Sequence, residues 1–290
     1  VQILALTTTQ AAGLTTTAVK ALTTAQIAAM ETADVAVLND TNIAALSSVQ
    51  VQALTTRQII GLTTAQISAL STTTLQALTI KQIAALETED VSLLGSSKVA
   101  SLSSTQLRAL NTAQVAQLTS AQLIGLGSTL LSQLQASQLT GLSTGDLNGL
   151  ASASLGALTS AQIARLTTDQ VANLTTTALS YLSTRGVSGF STSQIAALST
   201  TQANSLSSTN VKVLSAVQLG AMETADLAVL GSKSLLTSTQ VRGLTTAQLV
   251  TLTTDALASL NTSAVAGLTT VQIVALTTTQ AAGLTSTAVK

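Results

Sequence analysis

The sequence predicts an all-α solenoid, a superhelix of very short capped helices with one helix per eight-residue repeat. Three observations carry that expectation. Leu recurs every eighth residue from Leu6 through Leu230, and after one slip again from Leu236 to Leu284. A second apolar residue follows each of these five places later, as at Ile27, Val35, Ile43, Val51, Ile59 and Ile67. Between them stands a hydroxylic residue directly after the Leu and, in 19 repeats, a Gln three places further on. Internal repetition of this kind decides an architecture before any single residue does.

Numbering the octad from its Leu as slot 0, each slot has a reading. Slot 0 is Leu in 33 of 36 repeats, and the exceptions are Met30, Phe190 and Met222. Both methionines and the only phenylalanine therefore fill the core position and form no ligand or cofactor box. Slots 1 and 4 spell S/T-x-x-Q, the capping box, in which the hydroxyl accepts the N3 amide proton and the Gln side chain reaches back to the N-cap. Slots 0 and 5 then fall at N′ and N4, the placement of a hydrophobic staple. Ala at slots 3, 6 and 7 favours helix. Slot 7 is mostly Ala or Gly, including Gly13, Gly61, Gly125, Gly141 and Gly149. Small residues there are expected to end the helix and to let backbones approach. All eleven acidic residues lie in slots 1–4, near the positive end of such a helix, while Lys20, Arg108, Lys212, Arg242 and Lys290 occupy slot 6. A wetter first half of the octad explains part of this bias but not why slot 6 takes only basic charge.

A β-solenoid is the alternative, given the abundance of Thr, Val and Ile. Against it, the core spacings of five and three are both odd, and a continuous strand would place those residues on opposite faces. One long amphipathic helix fails too, because a period of eight drifts around a 3.6-residue turn. Two large side chains per octad cannot repay the ordering of eight residues, so stability has to come from neighbouring repeats, two or three octads making each coil.

Residues 1–290 read as a single continuous array with no linker. One six-residue unit interrupts it at 231–236. Residues 271–290 repeat residues 1–20 at 18 of 20 positions, an offset of 270 that equals 33 octads plus the short unit. The expectation is one period of about 270 residues from a longer tandem protein. The chain does not begin with Met, shows no signal peptide and has no apolar run of about 20 residues, so membrane insertion is not expected.

Composition narrows the chemistry. The chain has no His, Cys, Pro or Trp and one Tyr, with 11 basic and 11 acidic residues. Imidazole and thiol catalysis and the usual zinc, haem and iron–sulfur ligands are therefore excluded. Balanced charge and 1% aromatics argue against nucleic acid as a partner. Glu87, Glu89 and Asp90 form the densest acidic group, echoed by Glu31 with Asp34 and by Glu223 with Asp226. Calcium needs six to eight converging oxygens, which this spacing does not supply, and charge at a helix N-terminus is the better account. Glycoside hydrolysis by paired carboxylates needs a cleft and sugar-binding rings, for which Tyr181 and Phe190 are the only candidates. No Ser or Thr has a base or a strained elbow to make it a nucleophile. The expectation is a protein that is not an enzyme, with no catalytic residue, no cofactor and no metal.

Units such as LTTAQISAL (Leu62 to Leu70), LTSAQIARL (Leu158 to Leu166) and LSSTQLRAL (Leu102 to Leu110) resemble the octapeptide-repeat tracts of very large bacterial surface or secreted, adhesin-like proteins. The resemblance covers the whole chain. It implies an extracellular or cell-surface setting, a structural role as fibre, filament, stalk or sheath, and self-association as the expected partnership. Regular Thr and Ser rows give a second expectation, a repetitive surface for ice, glycan or another repetitive ligand.

Overall fold

The computed structural model describes residues 3–231 and 236–284. Among them there is no strand, and short helices follow one another at one per octad, from Thr8–Ala12 to Thr278–Gly283. The helical reading holds and the β-solenoid does not. No helix among the described residues is long and apolar enough to cross a membrane.

Each helix is local chemistry repeated. At Thr63 the hydroxyl accepts the Gln66 N–H at 3.2 Å, and Gln66 Oε1 accepts the Thr63 N–H at 2.8 Å. The same reciprocal pair caps the helices beginning at Thr24, Ser48, Thr56, Ile80, Ser104, Ser160 and Thr246. These two bonds satisfy orphan donors of the first turn. At the other end the slot 0 N–H donates back to the slot 5 carbonyl, as Leu70 does to Ile67 and Leu78 to Leu75, each at 3.2 Å. Slot 0 is extended (Leu78 φ −57°, ψ 135°), so the chain turns there and the next slot 1 is already an N-cap. Six helical residues plus a two-residue corner, or five plus three, make eight.

Helices pack on the helix three octads away: Asp40–Ala44 on Thr64–Ala69, Ile80–Ala85 on Ser104–Ala109, Thr254–Ala258 on Thr278–Gly283. One coil is therefore three octads, or 24 residues, the larger of the two numbers the sequence left open. Slots 0 and 5 of all three sides point inward and form the core, as at Leu46 and Val51, Leu70 and Leu75, Leu102 and Leu107. Met30, Met222 and Phe190 are 4%, 4% and 3% exposed, confirming them as core fillers.

The coils group into two compact units, residues 1–142 and 143–290. The octad register runs through the boundary, with Leu142 at slot 0 and Ser143 as the next N-cap. Residues 232–235 of the short unit and the last six residues of the 271–290 repeat lie outside the described residues. Around the short unit, Ala216–Gly220 packs on Ser238–Arg242, a 22-residue step. That step is two residues shorter than the 24 found elsewhere, matching the two residues the short unit lacks in sequence.

Glycine at slot 7 closes helices and lets backbones approach, as expected, with Gly13 and Gly61 as C-caps. It does not stop the helix by a left-handed turn: Gly13 and Gly61 have φ −82° and −81°. Its use is close approach between coils. A methyl built at Gly267 would lie 2.5 Å from the Ser238 carbonyl oxygen and 2.7 Å from its Cα, and one at Gly141 would lie 2.5 Å from the Thr112 carbonyl oxygen. Among the described residues the single positive φ belongs to Gly127 (62°, ψ −178°), at an N-cap slot where most octads hold Thr or Ser. That conformation is open essentially to glycine alone, and it breaks the run Ser120–Leu131 into two helical pieces.

Candidate functional site: a glutamine ladder between coils

The sequence places slot 4 in the wetter half of the octad. The structure buries it: Gln58, Gln66, Gln82, Gln114 and Gln122 are each 2% exposed or less. Burial of a primary amide demands partners on both ends. The oxygen is used by the capping box. The nitrogen donates to the preceding coil, to the carbonyls 31 and 28 residues back. Gln82 Nε2 reaches Val51 O at 2.8 Å and Leu54 O at 2.7 Å, and Gln58 Nε2 reaches Ile27 O at 2.9 Å and Met30 O at 2.8 Å. In the second unit Gln194 bonds Ile163 O and Leu166 O, and Gln202 bonds Val171 O and Leu174 O. The slot 5 carbonyl already accepts the slot 0 N–H of its own corner, so the Gln nitrogen is a second donor to it and bridges it to the slot 0 carbonyl. One side chain thus caps the start of its own helix and closes the end of a helix one coil earlier.

Across the short unit the ladder keeps its acceptors and shortens its step. Gln240 bonds Val211 O and Leu214 O, 29 and 26 residues back, and Gln272 returns to 31 and 28 with Val241 O and Leu244 O. Donors other than Gln also serve. Asn42 Nδ2 bonds Leu14 O at 2.8 Å, and Lys98 Nζ bonds Ser68 O.

A second, exposed link runs the other way from slot 6. Arg108 Nε and Nη2 bond the backbone oxygen and the Oε1 of Gln133, both at 2.8 Å and 25 residues ahead. Gln76 bonds Ser101 O at 2.8 Å, Asn148 bonds Asn173 O at 2.9 Å and Arg242 bonds Gly267 O at 3.5 Å. Slot 6 faces carbonyls at the C-terminal end of a neighbouring helix, which is why it takes donors and cations and no acid. Lys290 lies outside the described residues.

The acidic residues divide in two. Asp40, Glu89, Asp169 and Asp255 sit in first helical turns on the exposed side, as helix-terminal charge predicts. Four acids take slot 4: Asp146 is half-buried and caps Ser143 N–H at 3.2 Å, whereas Asp34, Asp90 and Asp226 are buried at 2%, 1% and 1% exposure, where the helix terminus is not a sufficient account. Asp90 Oδ2 accepts the Glu87 N–H at 3.1 Å, the capping half of the Gln role, but Oδ1 is buried without a partner. Neither carboxylate oxygen of Asp226 has a well-formed hydrogen bond. Burial raises the pKa of Asp90. The Glu87 N–H opposes the rise, and the Glu87 and Glu89 charges reinforce it. Burial raises that of Asp226 as well, with the Thr200 side chain opposing and Glu223 reinforcing. Among the described residues no three acidic groups converge as metal ligands. Tyr181 is half-exposed on the surface and Phe190 is in the core.

Sequence reasoning missed the donor role of slot 4, although a signal for it exists. A capping box is served as well by Glu as by Gln, yet no slot 4 in the chain holds Glu. Only a site that also needs a donor makes that distinction.

Compared with known proteins, the chain is matched by the family model of the ALTTAQ repeat over residues 27–64, 83–120 and 139–176. Successive matches begin 56 residues apart, or seven octads. No curated protein matches it.

Proposed function

We propose that this tandem-repeat chain is a structural extension, a stretch of fibre, stalk or sheath displayed outside a bacterial cell and associating with further copies of itself. The observation that carries the reading is the ladder. Each coil is joined to the one before it through backbone carbonyls, which every octad supplies whatever its side chains. Coils can therefore be added without a new interface, and a two-residue deletion is absorbed at 231–236 while the acceptors stay the same. Such a design serves length and resists loss of any single surface residue. The resemblance to repeat tracts of surface proteins supports the location.

Slots 1–3 stay largely exposed in coil after coil, as at Thr55 to Arg57 and Ser71 to Thr73. That repetition favours, as a second reading, a Thr/Ser surface for a repetitive ligand such as a glycan or ice.

Electron microscopy of producing cells with gold-labelled antibody against the octad tests both. The expected result is label along extracellular filaments. Label confined to the cytoplasm, or to a diffuse secreted pool without filaments, overturns the fibre reading and favours soluble binding.

A further inference from the structure

Three features stand outside that role: the exposed apolar side chains Ile60, Ile124 and Val217, the half-exposed Tyr181, and the acids in the donor seats of the ladder. The apolar residues are scattered over different octads and compose no groove. The acids are different, because the fold defines what each seat requires.

At slot 4 one atom must accept the N-cap N–H and the other must donate to two carbonyls of the preceding coil. Asp90 meets the first requirement through Oδ2 and fails the second, leaving Oδ1 buried and unpaired. By the register of the ladder, the carbonyls facing Oδ1 are those of Ile59 and Leu62, 31 and 28 residues back. An ionised carboxylate sets an acceptor against acceptors. A protonated one carries an O–H where the Gln carries its N–H. We propose that the Asp90 junction is a proton-controlled joint between coils, closed when the carboxyl is protonated and loosened when it ionises, and that Asp226 forms its counterpart in the second unit.

Among the described residues, the elements packed on Asp90 and Asp226 hold no cation that would substitute for the proton. The helix of Asp90, Thr88–Leu93, packs on Thr64–Ala69 and Thr112–Ala116, neither of which carries a charged residue. The charges on its own element are Glu87 and Glu89, both acidic. Of the cations in the adjoining octads, Arg57 and Lys81 are exposed and Lys98 is bonded to Ser68 O. Around Asp226, the helices Thr200–Ser205 and Thr246–Thr251 are likewise uncharged, with Glu223 the nearest acid in sequence; the Thr200 hydroxyl favours the ionised carboxylate there, so the effect at Asp226 is expected to be smaller than at Asp90.

The sign of the effect follows from linkage. Folding raises the affinity of Asp90 for a proton, so its joint is tightest below the unfolded carboxylate pKa of 3.8. The joint weakens as pH rises through the folded value. This is the reverse of ordinary acid denaturation.

Hydrogen exchange of the full chain, read by mass spectrometry at pH 4.5 and 7.0 and corrected for intrinsic rates, tests the proposal. Protection of the segments 56–62 and 88–94 is expected to rise severalfold on acidification, as the Asp90 carboxyl takes up its proton. The Gln50 junction, segment 48–54, has no group that titrates there and should keep its protection. Asp90→Gln should be highly protected at both pH values. Asp226→Gln repeats the test independently in the second unit, and the native pH comparison needs no variant. Protection at Asp90 that is independent of pH, or a rise that persists in Asp90→Gln, overturns the proposal.

Discussion

Gln82 and Asp90 occupy the same slot of consecutive octads, and both are buried against the preceding coil. Gln82 accepts from the Thr79 N–H at 2.8 Å and donates to Val51 O and Leu54 O. Asp90 accepts from the Glu87 N–H and donates to nothing. The N-cap changes from Thr79 to Glu87 and the corner N–H moves from the slot 5 carbonyl of Ile83 to the slot 4 carbonyl of Asp90, but the difference that bears on the preceding coil is a hydrogen-bond donor aimed backwards. The solenoid's capping box makes the helix, and the donor makes the coil.

The strongest way to break the contrast is to convert one junction into the other. Gln82→Glu keeps the cap and places a charge against two carbonyls. At pH 7 it should destabilise the first unit by about 3 kcal/mol in urea unfolding followed by circular dichroism, with partial recovery at pH 4.5. Closing the gap between coils sterically comes next. Gly267→Ala drives a methyl into the Ser238 backbone and should cost about 2 kcal/mol, read by the same unfolding in the second unit.

Smaller changes sharpen the contrast. Asp226→Gln supplies the missing donor and should raise stability at pH 7 by about 1 kcal/mol. Because burial raises the native Asp226 pKa, that gain should shrink as pH falls toward the unfolded carboxylate value. Thr79→Ala removes the hydroxyl cap but leaves the Gln82 ladder bonds. It should cost about 1 kcal/mol in thermal unfolding, without loosening the Gln82 side-chain amide.

Much of this was legible in the sequence because it is local. The S/T-x-x-Q box, the staple of slots 0 and 5 and the identity of Met30, Phe190 and Met222 as core all follow from spacing within eight residues. What crosses between coils was not legible. Nothing within one octad says that Gln66 bonds Val35 and Leu38, or that three octads rather than two close a coil. That slot 7 glycine lets backbones approach was legible, but which backbone Gly141 and Gly267 meet, 29 residues away, was not. Asp90 and Asp226 were read by the charge rule for helix termini, which holds for Asp40 and Asp255 but is overridden where the same turn is buried. The absence of Glu from slot 4 is the one sequence trace of the coil-to-coil bond.

The central claim is that a side-chain amide holds each coil to the one before it. Nuclear magnetic resonance of chain labelled in Gln side chains tests it most directly, by coupling across the hydrogen bond from Gln82 Nε2 to backbone carbonyl carbons. The account predicts slowly exchanging side-chain amide protons with couplings to Val51 and Leu54. Rapid exchange of those protons with solvent, with no coupling to either carbonyl, would contradict it.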